Sequence, residues 1–216
     1  MQAKKVAREI GLKLKVIELS EKDIEDAIGT QGRIIKDIYD KIELAGKEKN
    51  DRLTPNAVPI SFNLPLYFVA KNAGEKKVIV SQGPDEMLGG YTRHQGMSEE
   101  NGSEEMRRNI SDFVKFGVSQ NIETGKYWGK EFVMPCLDKA VVEFCLSLPY
   151  ELKIRGEIRK YILRKLAIRM GISEDVAMHK KRAAQYGSGI IDVMKKLAKR
   201  DGHHVSLLVS GKIREN

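Results

Sequence analysis

Residues 78–94 read VIVSQGPDEMLGGYTRH, and this stretch decides the fold prediction. A β-branched run, Val78-Ile79-Val80, stops at a turn that is rich in Gly and Pro and carries two adjacent carboxylates, Asp85 and Glu86. In open parallel sheets, ligands bind beyond the carboxyl ends of the strands. A carboxylate at that edge can hold Mg²⁺ together with phosphate oxygens. Two interpretations stay open on these residues alone: a metal–phosphate site, or acids that only begin a helix.

Outward from this stretch, apolar spacing predicts helices that alternate with strands. The strand at 78–80 is a continuous apolar run of the kind found in parallel sheets buried on both faces. Pro65 is predicted to lie in the first turn of the helix at 59–73, which precedes this strand. The alternation predicts an α/β fold with a doubly wound, mainly parallel sheet that is incomplete at its N-terminus. The predicted helices in this part are 2–10, 21–27, 34–44 and 59–73, and the predicted strands are 12–17 and 78–80.

After Tyr91 the pattern becomes helical, and from Leu137 onward no strand is predicted. We therefore expect a partial α/β nucleotide-binding portion over 1–94 and a helical portion packed on it over 95–216, in one domain overall. The predicted helices here are 99–122, 141–148, 158–170, 173–178 and 189–200.

Composition narrows the classes of function. The 216 residues include 38 basic and 30 acidic side chains, a formal net charge of +8, but the two signs are interleaved along the chain. The interleaving argues against nucleic-acid binding. A positive cleft for a polyphosphate would explain the net charge equally well. No apolar run approaches the roughly 18 residues that a membrane span needs, and no signal-peptide core is seen, so we expect a cytoplasmic protein. Cys136 and Cys145 are predicted to be core thiols.

Several segments together resemble one family. The stretch Ser81–Tyr91, SQGPDEMLGGY, resembles the S-G-E/Q-G-A-D-E-L-F-G-G-Y signature in the synthetase domain of the asparagine synthetase family. Three further segments follow in the order that this family shows, and an upstream segment is similar to its second helix. These segments are MPCLDK at 134–139, KYILR at 160–164, HKKR at 179–182 followed by GSG at 187–189, and AKKVAREIG at 3–11.

The resemblance implies an adenine-nucleotide hydrolase-like fold and an ATP-dependent amide ligase. Such enzymes bind ATP and Mg²⁺, adenylylate a small carboxylic acid such as aspartate, release pyrophosphate and let ammonia attack the acyl-adenylate. It implies that Lys181 meets developing negative charge, that Gln82 lies near the acyl group, and that Asp85 contacts Mg²⁺ and pyrophosphate, whereas Asp138 is expected to cap a helix. The remaining residues implied to bind the cofactor are Ser81, Gly83, Glu86, Lys180, Gly187 and Ser188.

The sequence also departs from the family pattern. It contains no Ser-Gly-Gly-x-Asp-Ser pyrophosphate loop, so we expect either a fragment or a diverged member that repaired its sheet edge by forming a homodimer. Gln82 stands where many members have Glu, and an amide cannot act as a carboxylate base. The expected nitrogen source is ammonia or a separate glutaminase subunit. The alternatives are a non-catalytic nucleotide-binding or partner subunit of the same family, and a basic nucleic-acid-binding protein.

Overall fold

The computed structural model of the chain describes residues 2–44, 57–180 and 182–214. These residues are mainly helical. The helices are α1 (Gln2–Glu9), α2 (Glu21–Leu44), α3 (Ala57–Asn72), α4 (Pro84–Met87), α5 (Glu99–Asp112), α6 (Val118–Tyr127), α7 (Lys139–Ser147), α8 (Tyr150–Lys153), α9 (Tyr161–Arg169), α10 (Glu174–Ala177), α11 (Ala184–Gly187), α12 (Ile190–Arg200) and α13 (Val205–Arg214). The strands are β1 (Lys77–Ile79), β2 (Glu131–Val133), β3 (Ile154–Arg155) and β4 (Ile158–Arg159).

The chain divides into two compact units, each assembled from three separate stretches. The first unit comprises Met1–Val16, Ile79–Lys115 and Val133–Lys181, and the second comprises Ile17–Val78, Phe116–Phe132 and Arg182–Asn216. The division of the chain into portions at residue 94 stays a prediction.

The second unit is a helical assembly around one apolar core. Helix α2 packs against α3, α6, α12 and α13, and its apolar residues recur every three or four positions, as a buried helix face requires. Burying one such side chain contributes roughly 1.5–3 kcal/mol. The sequence predicted two helices in this region, at 21–27 and 34–44, but the structure has one continuous helix because Gly29 and Gly32 are buried inside it. Gln31 donates to Oγ1 of Thr124 on α6 at 2.9 Å, which ties this middle segment to its neighbour.

The first unit surrounds the loop that follows β1. Met87 and Leu88 are buried in that loop together with Cys145 of α7, and α4 also contacts α5. Cys145 is buried and Cys136 is half-buried, and both are free thiols, as predicted. The predicted helices at 2–10, 141–148, 173–178 and 189–200 are confirmed with small shifts of their ends.

The strands differ most from the sequence prediction. Strands β1 and β2 run parallel. Glu131 N donates to Lys76 O at 2.8 Å and Val80 N donates to Val133 O at 2.9 Å, so residue numbers increase in the same direction along both strands. The sheet holds only these two strands in the described residues, and the side chain of Ile79 is 75% exposed. The prediction that this strand is buried on both faces is therefore wrong.

Three further predictions about regular structure are also wrong. The stretch 12–17 alternates like a strand but has no regular secondary structure, and Leu12 is 65% exposed because no neighbouring strand covers it in the described part of the chain. The expectation of no strand after Leu137 fails because β3 and β4 form an antiparallel pair in the register Ile154↔Arg159. Pro65 lies inside α3 rather than in its first turn. Within the residues described, no helix is both long and apolar enough to cross a membrane.

Candidate functional site

The loop after β1 is shaped by glycines that no other residue could replace without strain. Gly83 has φ +105°, and a Cβ there would lie 2.6 Å from Cδ2 of Leu137. Both features favour glycine, which has no Cβ and tolerates positive φ. Pro84 then begins the single turn of α4, since its fixed φ suits the first position of a helix. Asp85 and Glu86 follow directly, so the local sequence fixes where both carboxylates lie.

Gly90 makes room for the carboxylate of Asp85. A Cβ on Gly90 would lie 1.9 Å from Oδ1 and 2.6 Å from Cα of Asp85. Gly90 N also donates to the backbone oxygen of Asp85 at 2.8 Å. Next to it, Gly89 has φ +72° and packs under Ile154. The Gly-Gly pair therefore lets the chain turn back tightly over its own acidic residue.

Lys160 is the ion-pair partner of Asp85. Its Nζ lies 2.9 Å from Oδ1 of Asp85, with 19% of the lysine side chain and 30% of the aspartate side chain exposed. Lys160 joins β4 to α9 in the left-handed conformation, with φ 54° and ψ 43°. Among the described residues it is the one non-glycine with positive φ. That conformation costs roughly 1–2 kcal/mol and is most often found at functional sites.

Glu86, the next residue after Asp85, is buried. It accepts a short hydrogen bond from the hydroxyl of Tyr91. Burial raises the pKa of Tyr91 well above its ordinary value, and the adjacent Glu86 carboxylate raises it further. The phenol therefore stays protonated at neutral pH and remains a donor to Glu86.

Arg93 and His94 anchor the far end of the loop. Arg93 Nε donates to Oε1 of Glu105 at 3.1 Å, and its NH2 donates to Oδ1 of Asn109 at 2.8 Å. The second bond fixes the Asn109 amide, so its nitrogen must donate to Nε2 of His94 at 2.9 Å. His94 is consequently neutral and protonated on Nδ1. Burial, reinforced by Arg93, lowers its pKa to about 4.

Two arginines connect the loop to the segment that carries the basic motif. Arg159 NH1 donates to Gly90 O at 2.8 Å. Arg164 Nε donates to Arg159 O at 2.7 Å, and its NH1 donates to the carbonyls of Ala177 and His179, both at 2.8 Å. One guanidinium thus holds the backbone before Lys160 and the backbone that leads into residues 180–182. Neither arginine was singled out as a site residue from the sequence, because the partner of Arg159 is 69 positions away and the partners of Arg164 are backbone carbonyls.

The structure places most of the predicted site residues, but in separate parts. The strand-end residues Ser81, Gln82, Gly83, Asp85 and Glu86 belong to the first unit, as does the exposed Lys180. Gly187 and Ser188 are exposed and belong to the second unit. Lys181, the residue predicted to meet developing charge, lies outside the described residues. Asp138 caps α7, because its Oδ1 accepts from Ala140 N at 2.9 Å, as predicted.

The donor set around Asp85 limits how a metal could bind. The described residues contain no group of three or more His, Cys, Asp or Glu side chains that could hold a metal. Glu86 accepts a hydrogen bond from Tyr91, and Asp85 is paired with Lys160. Such a site fits Mg²⁺, which usually takes one or two carboxylates and completes its shell with water and phosphate oxygens.

The Asp85 loop lies beyond the carboxyl end of β1, which is where ligands bind in open α/β sheets. Comparison with known proteins identifies the family: the asparagine synthase family matches residues 98–210, about half of the chain, and this chain belongs to it. The matched range begins after the Asp85 loop and includes Lys160 and Lys181.

Individual relatives agree with this assignment. A protein of Methanocaldococcus jannaschii, named as a glutamine-hydrolysing asparagine synthetase, is 28% identical over an alignment that covers 93% of this chain and 41% of the relative. The root asparagine synthetase of Pisum sativum is 32% identical over 52% of this chain and 21% of its own. Asparagine synthetase domain-containing protein 1 of Bos taurus is 36% identical over 56% of this chain and 20% of its own. The chain therefore spans between 20% and 41% of the length of these relatives.

Proposed function

We propose that this chain carries part of the active site of an ATP-dependent amide ligase. In this reaction a carboxylate oxygen of a small acid such as aspartate attacks the α-phosphorus of ATP, and pyrophosphate leaves. Ammonia then attacks the acyl carbon, and AMP leaves as the amide forms. Family membership and the names of the relatives support this proposal. The observation that carries it is the Asp85 carboxylate, fixed at the end of β1 within 2.9 Å of the Lys160 ammonium.

Each side chain has a defined part in the proposal. Asp85 would hold Mg²⁺ together with pyrophosphate oxygens, and the metal would neutralise the leaving pyrophosphate. Lys181 would stabilise the negative charge that develops on phosphate and acyl oxygens, and stabilisation of this kind commonly contributes more to the rate than any other single effect. Gln82 would contact the acyl group through its amide without exchanging a proton. Ser81, Gly83 and Lys180, with Gly187 and Ser188, are the further residues proposed to contact the nucleotide.

The contacts of Arg164 support a shared role for two distant motifs. Its guanidinium bonds the carbonyl of Arg159, next to Lys160, and the carbonyl of His179, two residues before Lys181. The backbone at His179 therefore lies close to Arg159, the residue that precedes Lys160. This supports the proposal that Lys181 serves the same ligand as Asp85.

The finer points of fold and setting are part of the same proposal. The parallel run of β1 and β2 supports a doubly wound sheet of the adenine-nucleotide hydrolase-like kind, to which these two strands would belong. We also propose a cytoplasmic setting, where ATP is available, and ammonia supplied freely or by a separate glutaminase.

The test is aspartate-dependent release of pyrophosphate from ATP in the presence of Mg²⁺ and ammonium. Lys181→Ala should lower this rate at least about a hundredfold, as removal of one charge-stabilising group typically does. Thermal unfolding of the variant should be unchanged. Lys165→Ala, on the exposed face of α9, is the matched control and should keep the wild-type rate. Equal loss of rate and stability in Lys181→Ala would point to a structural lysine.

A second candidate is a non-catalytic, nucleotide-binding subunit, and Gln82 favours it because an amide cannot replace a carboxylate base. This candidate predicts binding of ATP and Mg²⁺ by calorimetry without pyrophosphate release, and a dimer by light scattering. Restoring a carboxylate with Gln82→Glu separates the two candidates. A gain of aspartate-dependent pyrophosphate release would show that the carboxylate at position 82 was the only group missing for the reaction.

A further inference from the structure

We propose that Arg164 is a positioning residue: it fixes the backbone that leads into Lys180, so that the affinity of Lys180 for nucleotide depends on a guanidinium group that bonds only main chain. This inference rests on the proposed function, in which Lys180 contacts the nucleotide. It adds to that function the side chain that sets where Lys180 lies.

The first support is the set of atoms that Arg164 binds. Its hydrogen bonds within the described part of the chain all end on main-chain oxygens. Nε donates to Arg159 O at 2.7 Å. Nη1, which carries two hydrogens, donates to Ala177 O and His179 O, both at 2.8 Å. Because a guanidinium group is planar and its donors have fixed directions, this one side chain holds two segments of backbone in a single relative placement.

The second support is that apolar packing does little to hold the segment before Lys180. The single turn of α10 contains no buried residue, and His179 and Lys180 are exposed. A segment with so few buried apolar contacts opens easily unless polar contacts hold it. The position of this turn therefore depends strongly on its hydrogen bonds.

The third support is that these hydrogen bonds lie at both ends of α10. At the N-terminal end, the carboxylate of Glu9 accepts from Ser173 Oγ at 2.6 Å and from Ser173 N at 3.1 Å. At the C-terminal end, Arg164 supplies donors to the carbonyls of Ala177 and His179. Glu9 thus fixes where the turn begins, and Arg164 fixes the direction in which the chain leaves it toward Lys180.

The test is a double-mutant cycle, read by calorimetric titration of ATP with Mg²⁺ into the whole chain. Arg164→Ala and Lys180→Ala should each bind about tenfold more weakly than the wild type, as loss of a hydrogen bond to a charged group typically does. The double variant should bind no more weakly than the weaker single variant, because Arg164 acts through Lys180. Losses that multiply to about a hundredfold would show independent effects and would overturn the inference.

A chemical rescue separates positioning from a general loss of stability. A low concentration of guanidinium chloride should restore affinity to Arg164→Ala, because the free ion can occupy the space of the missing group, and should leave the wild type unchanged. A variant that is merely less stable would lose more affinity, since guanidinium weakens folded proteins. Arg169→Ala, an exposed arginine of the same helix, is the matched control and should bind like the wild type.

The remaining outcomes also decide the matter. If circular dichroism shows that Arg164→Ala does not fold, Arg164→Lys takes its place in the cycle, because one ammonium group cannot reproduce the fixed fork of donors. Additive losses, or no loss, would again overturn the inference. A Lys180→Ala protein that binds like the wild type would overturn it while the proposed function stands. A wild type that binds no ATP would remove the proposed function and the inference with it.

Discussion

Replacing Gly90 with alanine tests how tightly the loop is built around Asp85. The new methyl group would lie 1.9 Å from Oδ1, 2.6 Å from Cγ and 2.6 Å from Cα of Asp85. Rotation of the aspartate side chain could relieve the first two contacts, but the third is to the backbone. Gly90 itself cannot retreat easily, because its nitrogen donates to Asp85 O and its oxygen accepts from Arg159.

The size of the effect follows from this geometry. To reach an ordinary contact of 3.4 Å, the methyl carbon and the Asp85 Cα must separate by about 0.8 Å, more than a packed loop yields without strain. Overpacking of this kind typically costs about 1–3 kcal/mol of unfolding free energy. The same displacement would pull Oδ1 away from the Lys160 ammonium. Gly90→Ala should therefore lose both stability and binding of manganese pyrophosphate.

The assay is urea unfolding followed by circular dichroism, combined with calorimetric titration of manganese pyrophosphate. Gly74→Ala is the matched control, because a Cβ there meets nothing within 4 Å and the backbone φ is not positive. That control should change the unfolding free energy by less than about 0.5 kcal/mol. If Gly90→Ala behaves like Gly74→Ala in both measurements, the close packing of Asp85 on Gly90 is refuted.

Three further predictions concern the surroundings of the loop. The pKa of His94 is lowered to about 4 in the folded protein, so between about pH 6.5 and 4 the unfolded state binds a proton that the folded state does not. As the pH is lowered through this range, the unfolding free energy should therefore fall by up to about 1.4 kcal/mol per pH unit. His94→Gln should show a shallower fall in urea titrations, and parallel curves would contradict this. Tyr91→Phe should cost about 1–3 kcal/mol in the same assay, because buried Glu86 loses its tyrosine donor, whereas a cost below about 0.5 kcal/mol would contradict it. Arg164→Ala should speed tryptic cleavage after Lys180, and an unchanged rate would show that the guanidinium does not hold this segment.

The sequence predicted helices well where their pattern and caps agree. The ends of α12 were found closely because its apolar face is regular and Gly189 precedes it. The middle of α2 was missed because the helical periodicity was identified only at 21–27 and 34–44, and Gly29 and Gly32, which have low helix propensity, lie between. In the fold these glycines are buried, and tertiary packing overrides their low propensity.

Strands were predicted less well, because a strand depends on its neighbours. The alternation of residues 12–17 describes how that stretch could pair, but the described residues offer it no partner. Conversely, β2 went unnoticed because three residues, Glu131–Val133, carry too little pattern to identify a strand without knowing that β1 lies beside them.

In the candidate site, too, features within one stretch of sequence were predictable, whereas features that depend on distant segments were not. Asp85 and its glycines could be identified from one continuous motif. Its partner Lys160 was noticed only as part of another motif, because the spacing of residues in the sequence does not reveal an ion pair between distant segments. The left-handed conformation of Lys160 is likewise a product of the β4–α9 junction and has no signature in the sequence.

Calorimetric titration of ATP with Mg²⁺ tests the central claim most directly, namely that Asp85 binds a metal-bound polyphosphate. The wild type should bind with submillimolar affinity, and Asp85→Asn should bind at least about tenfold more weakly, a difference of about 1.4 kcal/mol. Asp138→Asn, which keeps a side chain able to cap α7, is the control and should bind like the wild type. Equal affinity of the wild type and Asp85→Asn would contradict the claim.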